Sequence, residues 1–534
     1  MTLKRERVHS GFGARISGFL IGNFQPFWDV LTQHKGLKTW LSNQIINSIS
    51  SSTRTRPHPY STVSDYTSWR SLTDRTYFAR HLAPLETQVT TPDENEVLKL
   101  FRRPEGGATP CPKSTLLFPV FAQYLTDGFL RTNMEQGQRH KTTSNHQIDL
   151  SPLYGRTQEQ TDALRDRERR GHLKSQKLPE GEFPPYLILS DGRLDPQFAC
   201  LDATLGLKPD EGTSDRYDPR RKIFAVGGDR ANATPFVSAL NTLLLREHNR
   251  LAAEIARLHP AWDSDRVFET ARNTVIVIYI KLVVEDYINH IASACPPLLA
   301  SPKLAWSAKW NKPIWMTVEF ALLYRWHSLV PDQVSVADEE IDAAGLILNN
   351  SLTIKRGLAG LFADMSKTKA TRLGLHNTPA FLMQTELAAI RQARDLKLPR
   401  YNEYRDHFGL PRLTRFSQVT GDPDRRAALE ALYDSPDDMD FYVGLFAEDT
   451  SANTPMSSLV GTMVAVDAFT QALTNPLLSE HVFNENTFSA YGMSQIETTH
   501  SLADLLDRNT PEHSGECGRI SMTREDWKHE FVPF

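Results

Sequence analysis

The stretch LLYRWHSLVPD, residues 322–332, sets Tyr324 three positions before His327. On a helix that spacing turns both side chains to nearly the same face. A neutral imidazole is a metal ligand, and a phenol can part with a proton and an electron together. The two residues therefore have the makings of a redox pair, with a metal on His327 and a radical on Tyr324. A helical tyrosine beside a helical histidine is equally an ordinary piece of core packing with both polar tips satisfied. The stretch leaves both readings open.

The surrounding sequence predicts helices to carry the pair. Residues 315–332 read as one helix ending at Val330, because the residue before Pro331 disfavours helical geometry. Residues 112–133, with Leu117, Phe118, Phe121 and Leu125 on one face, carry the same three-to-four periodicity, as do 235–260 and 264–292. The most apolar run, TVIVIYIKLVV (274–284), is broken by Lys281 and is about half as long as a membrane span. It predicts a buried core helix. Strand-like alternation is sparse and no internal repeat is present, so the fold class is mainly α. No GxGxxG opens a helix and no HExxH occurs, which leaves nucleotide and zinc-protease readings without a foothold.

Hydrophobic residues make up 40% and charged residues 23% of the 534, the balance of a folded soluble chain. A formal net charge of -4 gives no basic field, so nucleic acid is not an expected partner. Cys111, Cys200, Cys295 and Cys517 lack CxxC spacing and predict neither a zinc site nor a disulfide framework. A reducing, cytoplasmic compartment is expected, since the basic opening MTLKRERVHSGFGARISGFLIGNF holds no apolar run long enough for a signal peptide. Residues 11–49 suggest two or more short amphipathic helices broken near Pro26 and Gly36. They either dock on the main core or lie in one membrane leaflet with Phe and Trp inserted, a peripheral association. A non-helical linker is expected over 48–65. The chain divides into a segment 1–59 and a catalytic unit 60–534.

Several phrases add to this reading: HQIDLSPLYG (146–155), REHNR (246–250), EFALLYRWHSLVPD (319–332), and the span 401–449, which opens YNEYRDHFGLPRLTRF and closes DDMDFYVGLFAED. In these phrases and their order the chain resembles the animal-type haem peroxidase superfamily. Within it, the likeness is to the cyclooxygenase (prostaglandin endoperoxide synthase)-like, fatty-acid dioxygenase branch. The resemblance implies a large helical catalytic domain built around one haem b. It implies that His327 is the proximal iron ligand and that Tyr324, once oxidised, takes hydrogen from a fatty acid. Tyr287 is matched to a tyrosine that supports the radical residue, and Tyr442 to one near the proximal side of the haem. Phe320, Leu323 and Trp326 are matched to walls of the substrate channel, and Thr470 to the serine that aspirin acetylates in mammalian cyclooxygenases.

The chain also departs from that pattern. The family's distal helix carries Gln and His four apart, whereas AQYLTDG (122–128) keeps Gln123 and puts Asp127 in the histidine's place. A carboxylate with an ordinary pKa near ~4 shuttles protons poorly at neutral pH unless burial raises it. Asp127 is thus a solvated or ion-paired helix residue, an altered distal acid/base, or the site of an ester link to haem. The arginine that anchors the substrate carboxylate in mammalian relatives falls at Ser50, with Arg54 and Arg56 as nearby substitutes or simply exposed linker arginines. Of the family's calcium loop only Asp149 and Ser151 remain, and Gly128 replaces the distal-side acid, so calcium is not expected.

Together these features predict a haem-dependent dioxygenase that adds O2 to an unsaturated fatty acid through a tyrosyl radical, giving a hydroperoxide, with weak peroxidase activity. The first alternative is an α-dioxygenase, because YRWHSLVPD is also close to that branch. A non-catalytic haem- or lipid-binding protein is the alternative of another class. Homo-oligomerisation is left open.

Overall fold

The computed structural model describes residue 19 and residues 22–52, 75–86, 90–202, 216–292, 296–510 and 518–531. Near its start lie helix α1 (Gln25–Leu31), with Pro26 in its first turn, and helix α2 (Lys35–Ser52). Phe24 separates helical residues 22–23 from α1, and residues 32–34 separate α1 from α2, so the breaks fall near Pro26 and near Gly36. Residues 48–52, expected in a linker, continue α2.

Residues 112–133 are not one helix. Strand β1 (Pro110–Thr115) pairs antiparallel with Lys369–Thr371, and helix α3 (Leu117–Asp127) follows it. Two further two-stranded antiparallel pairs complete the strands among the described residues. The mainly α fold class holds.

Thr234 starts the long helix α4 (Pro235–Leu258), its hydroxyl accepting from the Val237 amide while Pro235 fills a first-turn position that needs no donor. Leu240, Leu243, Leu244, Leu251 and Ile255 are wholly buried along it, each leucine or isoleucine contributing about 1.5–3 kcal/mol of burial. Helix α5 (Ser264–Leu282), capped by Asp263, packs against α4. Beyond Leu282 the helix does not continue in α geometry: Val283–Ile288 is a π-helical segment, and Asn289–Ile291 resumes the α form. Residues 264–292 thus hold two winding states where one was predicted.

The remaining elements that bear on the site are α6 (Val318–Leu323), α7 (Met383–Asp395), α8 (Phe441–Ala447), α9 (Ser458–Leu473) and α10 (Glu485–Thr498). Helix α9 packs on both α2 and α6, α8 packs on α7, and α10 covers α5. Gly444 lets α8 approach the helix Tyr401–His407, since a Cβ there would stand 2.2 Å from the Tyr401 ring.

The REHNR segment of α4 is a structural tie. Glu247 is fully buried and accepts from Arg250, Arg508 and Asn509, while His248 sits between the Tyr154 hydroxyl and the Gly171 carbonyl. A surface cleft of about 390 Å³ opens beside it, lined by Arg169, Glu182, Arg246, Arg250 and Arg508 among others. Its arginines are committed to Glu182, Glu247 and backbone carbonyls, and it contains neither Tyr324 nor His327.

Candidate active site

Helix α6 stops one residue short of Tyr324. Thr317 caps its start by accepting from the Phe320 amide, and Tyr324 is its C-cap residue. His327 opens a separate 3-10 turn, His327–Leu329. The expected continuous helix through Val330 is therefore absent, and Tyr324 and His327 do not share a helix face. The turn between them lets the two side chains take different partners.

The Tyr324 ring stacks on Trp326 with centroids 4.5 Å apart and lies 4.8 Å from Phe320. Trp326 stacks in turn on Phe118 of α3 at 5.6 Å. The Tyr287 hydroxyl donates to the Tyr324 hydroxyl across 3.4 Å, long for such a pair. Tyr287 reaches it from the π-helical segment, and its ring stacks on Phe118 and Phe121. Burial pushes the phenols of Tyr324 and Tyr287 well above their ordinary range, so both carry their protons at neutral pH. Leu323 is buried completely and Phe320 nearly so.

On the other side of the turn, His327 Nδ1 stands 3.1 Å from Glu386 Oε1, although the ring is not aligned for a hydrogen bond. Glu386 Oε2 accepts from the Tyr442 hydroxyl at 2.5 Å, and Oε1 accepts from Thr378 Oγ1 at 2.9 Å. Sequence reasoning missed Glu386. The available signal was its position on the buried face of α7 with Met383, Leu387 and Ile390, where a carboxylate needs a partner.

Asp127 ends α3 and is 5% exposed, which removes the reading of a solvated residue. Its Oδ1 lies 3.8 Å from Arg230 Nη1, and its Oδ2 has no hydrogen-bond partner. Burial raises its pKa to about 6, with Arg230 and Arg131 opposing the shift. Gln123 is half-buried on the preceding turn. Arg325, between Tyr324 and His327, feels the charges of both Asp127 and Glu386, and its Nε is buried without a partner.

Thr470 is buried on α9 and spends its hydroxyl on the Val466 and Asp467 carbonyls of its own helix. Asp467 accepts from or donates to His81 Nε2 at 3.0 Å, and its charge is felt at Tyr324. Ser50 is buried at the end of α2 with its hydroxyl unpartnered, and Arg54 and Arg56 lie outside the described residues. Asp149 is committed to the Asn145 side chain and the Ser151 amide, and the Ser151 hydroxyl donates to the Gly128 carbonyl. Phe24, Phe27, Val30 and Trp40 of α1, α2 and their flank are exposed, whereas Ile46 is buried and Asn47 accepts from Trp310. No helix among the described residues is long and apolar enough to cross a membrane.

Over residues 119–517 the chain matches the family model described as animal haem peroxidase. Prostaglandin G/H synthase 2 of Cavia porcellus is 28% identical over 505 residues, covering 92% of this chain and 80% of that protein. Prostaglandin G/H synthase 1 of Rattus norvegicus is 29% identical over 488 residues, covering 87% and 77%. Among solved structures the fold is similar to the fatty acid alpha-dioxygenase of Oryza sativa, with a TM-score of 0.67 at 18% identity, covering 97% of this chain and 98% of that one.

Proposed function

The chain belongs to the animal haem peroxidase family, and from that membership we propose that it is a haem-dependent dioxygenase adding O2 to an unsaturated fatty acid. The observation that carries the reading is the paired arrangement around residues 324–327. A half-buried, protonated Tyr324 is braced by Tyr287 and Trp326, and His327 Nδ1 stands 3.1 Å from a carboxylate, which leaves Nε2 free.

The residues present fit haem b. Asp127 Oδ2, Arg325 Nε and Trp326 Nε1 are buried without partners, and Gln123, Tyr324, Arg325 and His327 keep free surface although they lie among buried elements. Unspent polar atoms of this kind call for a charged or polar-edged occupant. His327 Nε2 would hold the iron, with Glu386 beside its Nδ1 and Tyr442 bonded to that carboxylate, and Gln123 and Asp127 would serve the peroxide. When bound, haem supplies the peroxide-driven oxidising equivalent that removes a hydrogen atom from Tyr324.

The rest is the work of this chain's side chains. The Tyr324 oxygen radical takes a bis-allylic hydrogen from the acyl chain and becomes a phenol again. O2 then adds to the carbon radical, and return of a hydrogen from Tyr324 completes the hydroperoxide and restores the radical. Phe320, Leu323 and Trp326 offer apolar walls and no competing acid. Asp127, whose pKa burial raises to about 6, would take and return the peroxide proton, less effectively than an imidazole held for the purpose.

The exposed apolar residues of α1 and α2 give the protein a face suited to one membrane leaflet, from which a fatty acid can enter. Oxygen uptake by the haem-loaded protein over a panel of fatty acids, with product mass spectrometry, tests the proposal. A hydroperoxide within the diene system supports it. A 2-hydroperoxy product moves the chain to α-dioxygenation, and no uptake with any acid leaves a haem- or lipid-binding protein.

A further inference from the structure

Glu386 is 1% exposed, and every hydrogen bond it makes is with a donor. Thr378 reaches it at 2.9 Å and Tyr442 at 2.5 Å, and His327 Nδ1 stands 3.1 Å away. We propose that Glu386 is the positioning residue of the iron ligand: one carboxylate, shared between His327 and Tyr442, that fixes the imidazole's tautomer and sets how strongly it donates to the metal. The inference rests on the reading of His327 as that ligand.

A neutral imidazole has one N–H, and a carboxylate beside Nδ1 keeps the proton there, so that the Nε2 lone pair points away from Glu386. The χ2 torsion of histidine is soft. Rotation about that torsion is the movement that would align the 3.1 Å contact as a hydrogen bond. An imidazole that donates to a carboxylate is a stronger base and favours ferric over ferrous iron.

Tyr442 works against that effect. Its hydroxyl draws charge from the same carboxylate and weakens Glu386 as an acceptor for His327. The Tyr442 ring is held independently, stacked on Phe101 at 5.4 Å and set edge-on to Phe446 at 5.1 Å, so loss of the hydroxyl alone leaves its position intact. The two residues should therefore tune the ligand in opposite directions. A purely structural role would loosen the proximal side in both variants and move them the same way.

The test uses the haem-reconstituted full chain and reads two quantities: the iron–imidazole stretching band of the ferrous form by resonance Raman, and the ferric/ferrous midpoint potential. Glu386→Gln should lower the stretching frequency and move the potential positive. Tyr442→Phe should raise the frequency and move the potential negative. Shifts of the same sign in both variants, or an intact band unmoved by either, overturn the proposal alone. Absence of the band from the wild type, or its survival in His327→Ala, overturns the ligand reading and the proposal with it. Should Glu386→Gln fail to fold, the sign of the Tyr442→Phe shift decides.

Discussion

Asp127 lies 3.8 Å from Arg230, close enough to feel the guanidinium and too far to hydrogen-bond with it. Its other oxygen has no partner. Burial therefore outweighs the arginines and leaves the carboxyl titrating near pH 6. A general base works in its deprotonated form, so peroxide turnover with a reducing dye should rise with pH through about 6. Asp127→Asn should be slow and lack that limb. Asp127→His should restore Gln and His at i and i+4 and speed turnover, since acid–base help is worth roughly 10²–10⁴-fold. A histidine variant no faster than wild type would show that Asp127 does not stand over the iron.

Tyr324→Phe removes one oxygen and keeps the ring that stacks on Trp326. Haem content and peroxide turnover should persist while fatty-acid oxygen uptake falls to background. Normal uptake by the variant would place the radical on another residue.

His327→Ala should strip most haem from the purified protein, read as loss of the Soret band. Circular dichroism should be little changed, because His327 occupies a one-turn 3-10 segment outside the long helices. Full haem content in the variant would remove His327 as ligand.

Deleting residues 1–49 is a poor test of membrane contact, because Ile46 is buried and Asn47 holds Trp310. Phe27→Ser, Val30→Ser and Trp40→Ser together touch only exposed side chains. Vesicle binding should drop at least about tenfold, the equivalent of about 1.4 kcal/mol. Unchanged binding would leave these helices as a docked part of the core.

Much of this was legible from residue order. The helical class follows from three-to-four periodicity, and the helix expected over 235–260 is observed at Pro235–Leu258. Local pattern could not reveal that the helix before Tyr324 stops at Leu323, because apolar spacing continues through a turn that tertiary contacts impose. Nor could it reveal Glu386, which lies 59 positions along the chain from His327 in an otherwise ordinary amphipathic helix. Nor could it decide whether the Asp127 carboxyl keeps an ordinary pKa or is raised by burial. Burial is a property of the fold, and Asp127 sits in a sequence that also suits an exposed helix end.

The π-helical segment at Val283–Ile288 carries a further consequence. An α-helix advances by about 100° per residue, so one extra residue absorbed in a wider turn resets the phase of everything after it. Helix α5 can then address α4 and α10 with one angular setting and present Tyr287 to Tyr324 with another. Removing a single residue from 283–286 would restore the regular winding and swing the Tyr287 hydroxyl away from its partner, with the packing upstream undisturbed. The spacing between scaffold and reactive residue is thus stored as a rotational offset within one continuous rod.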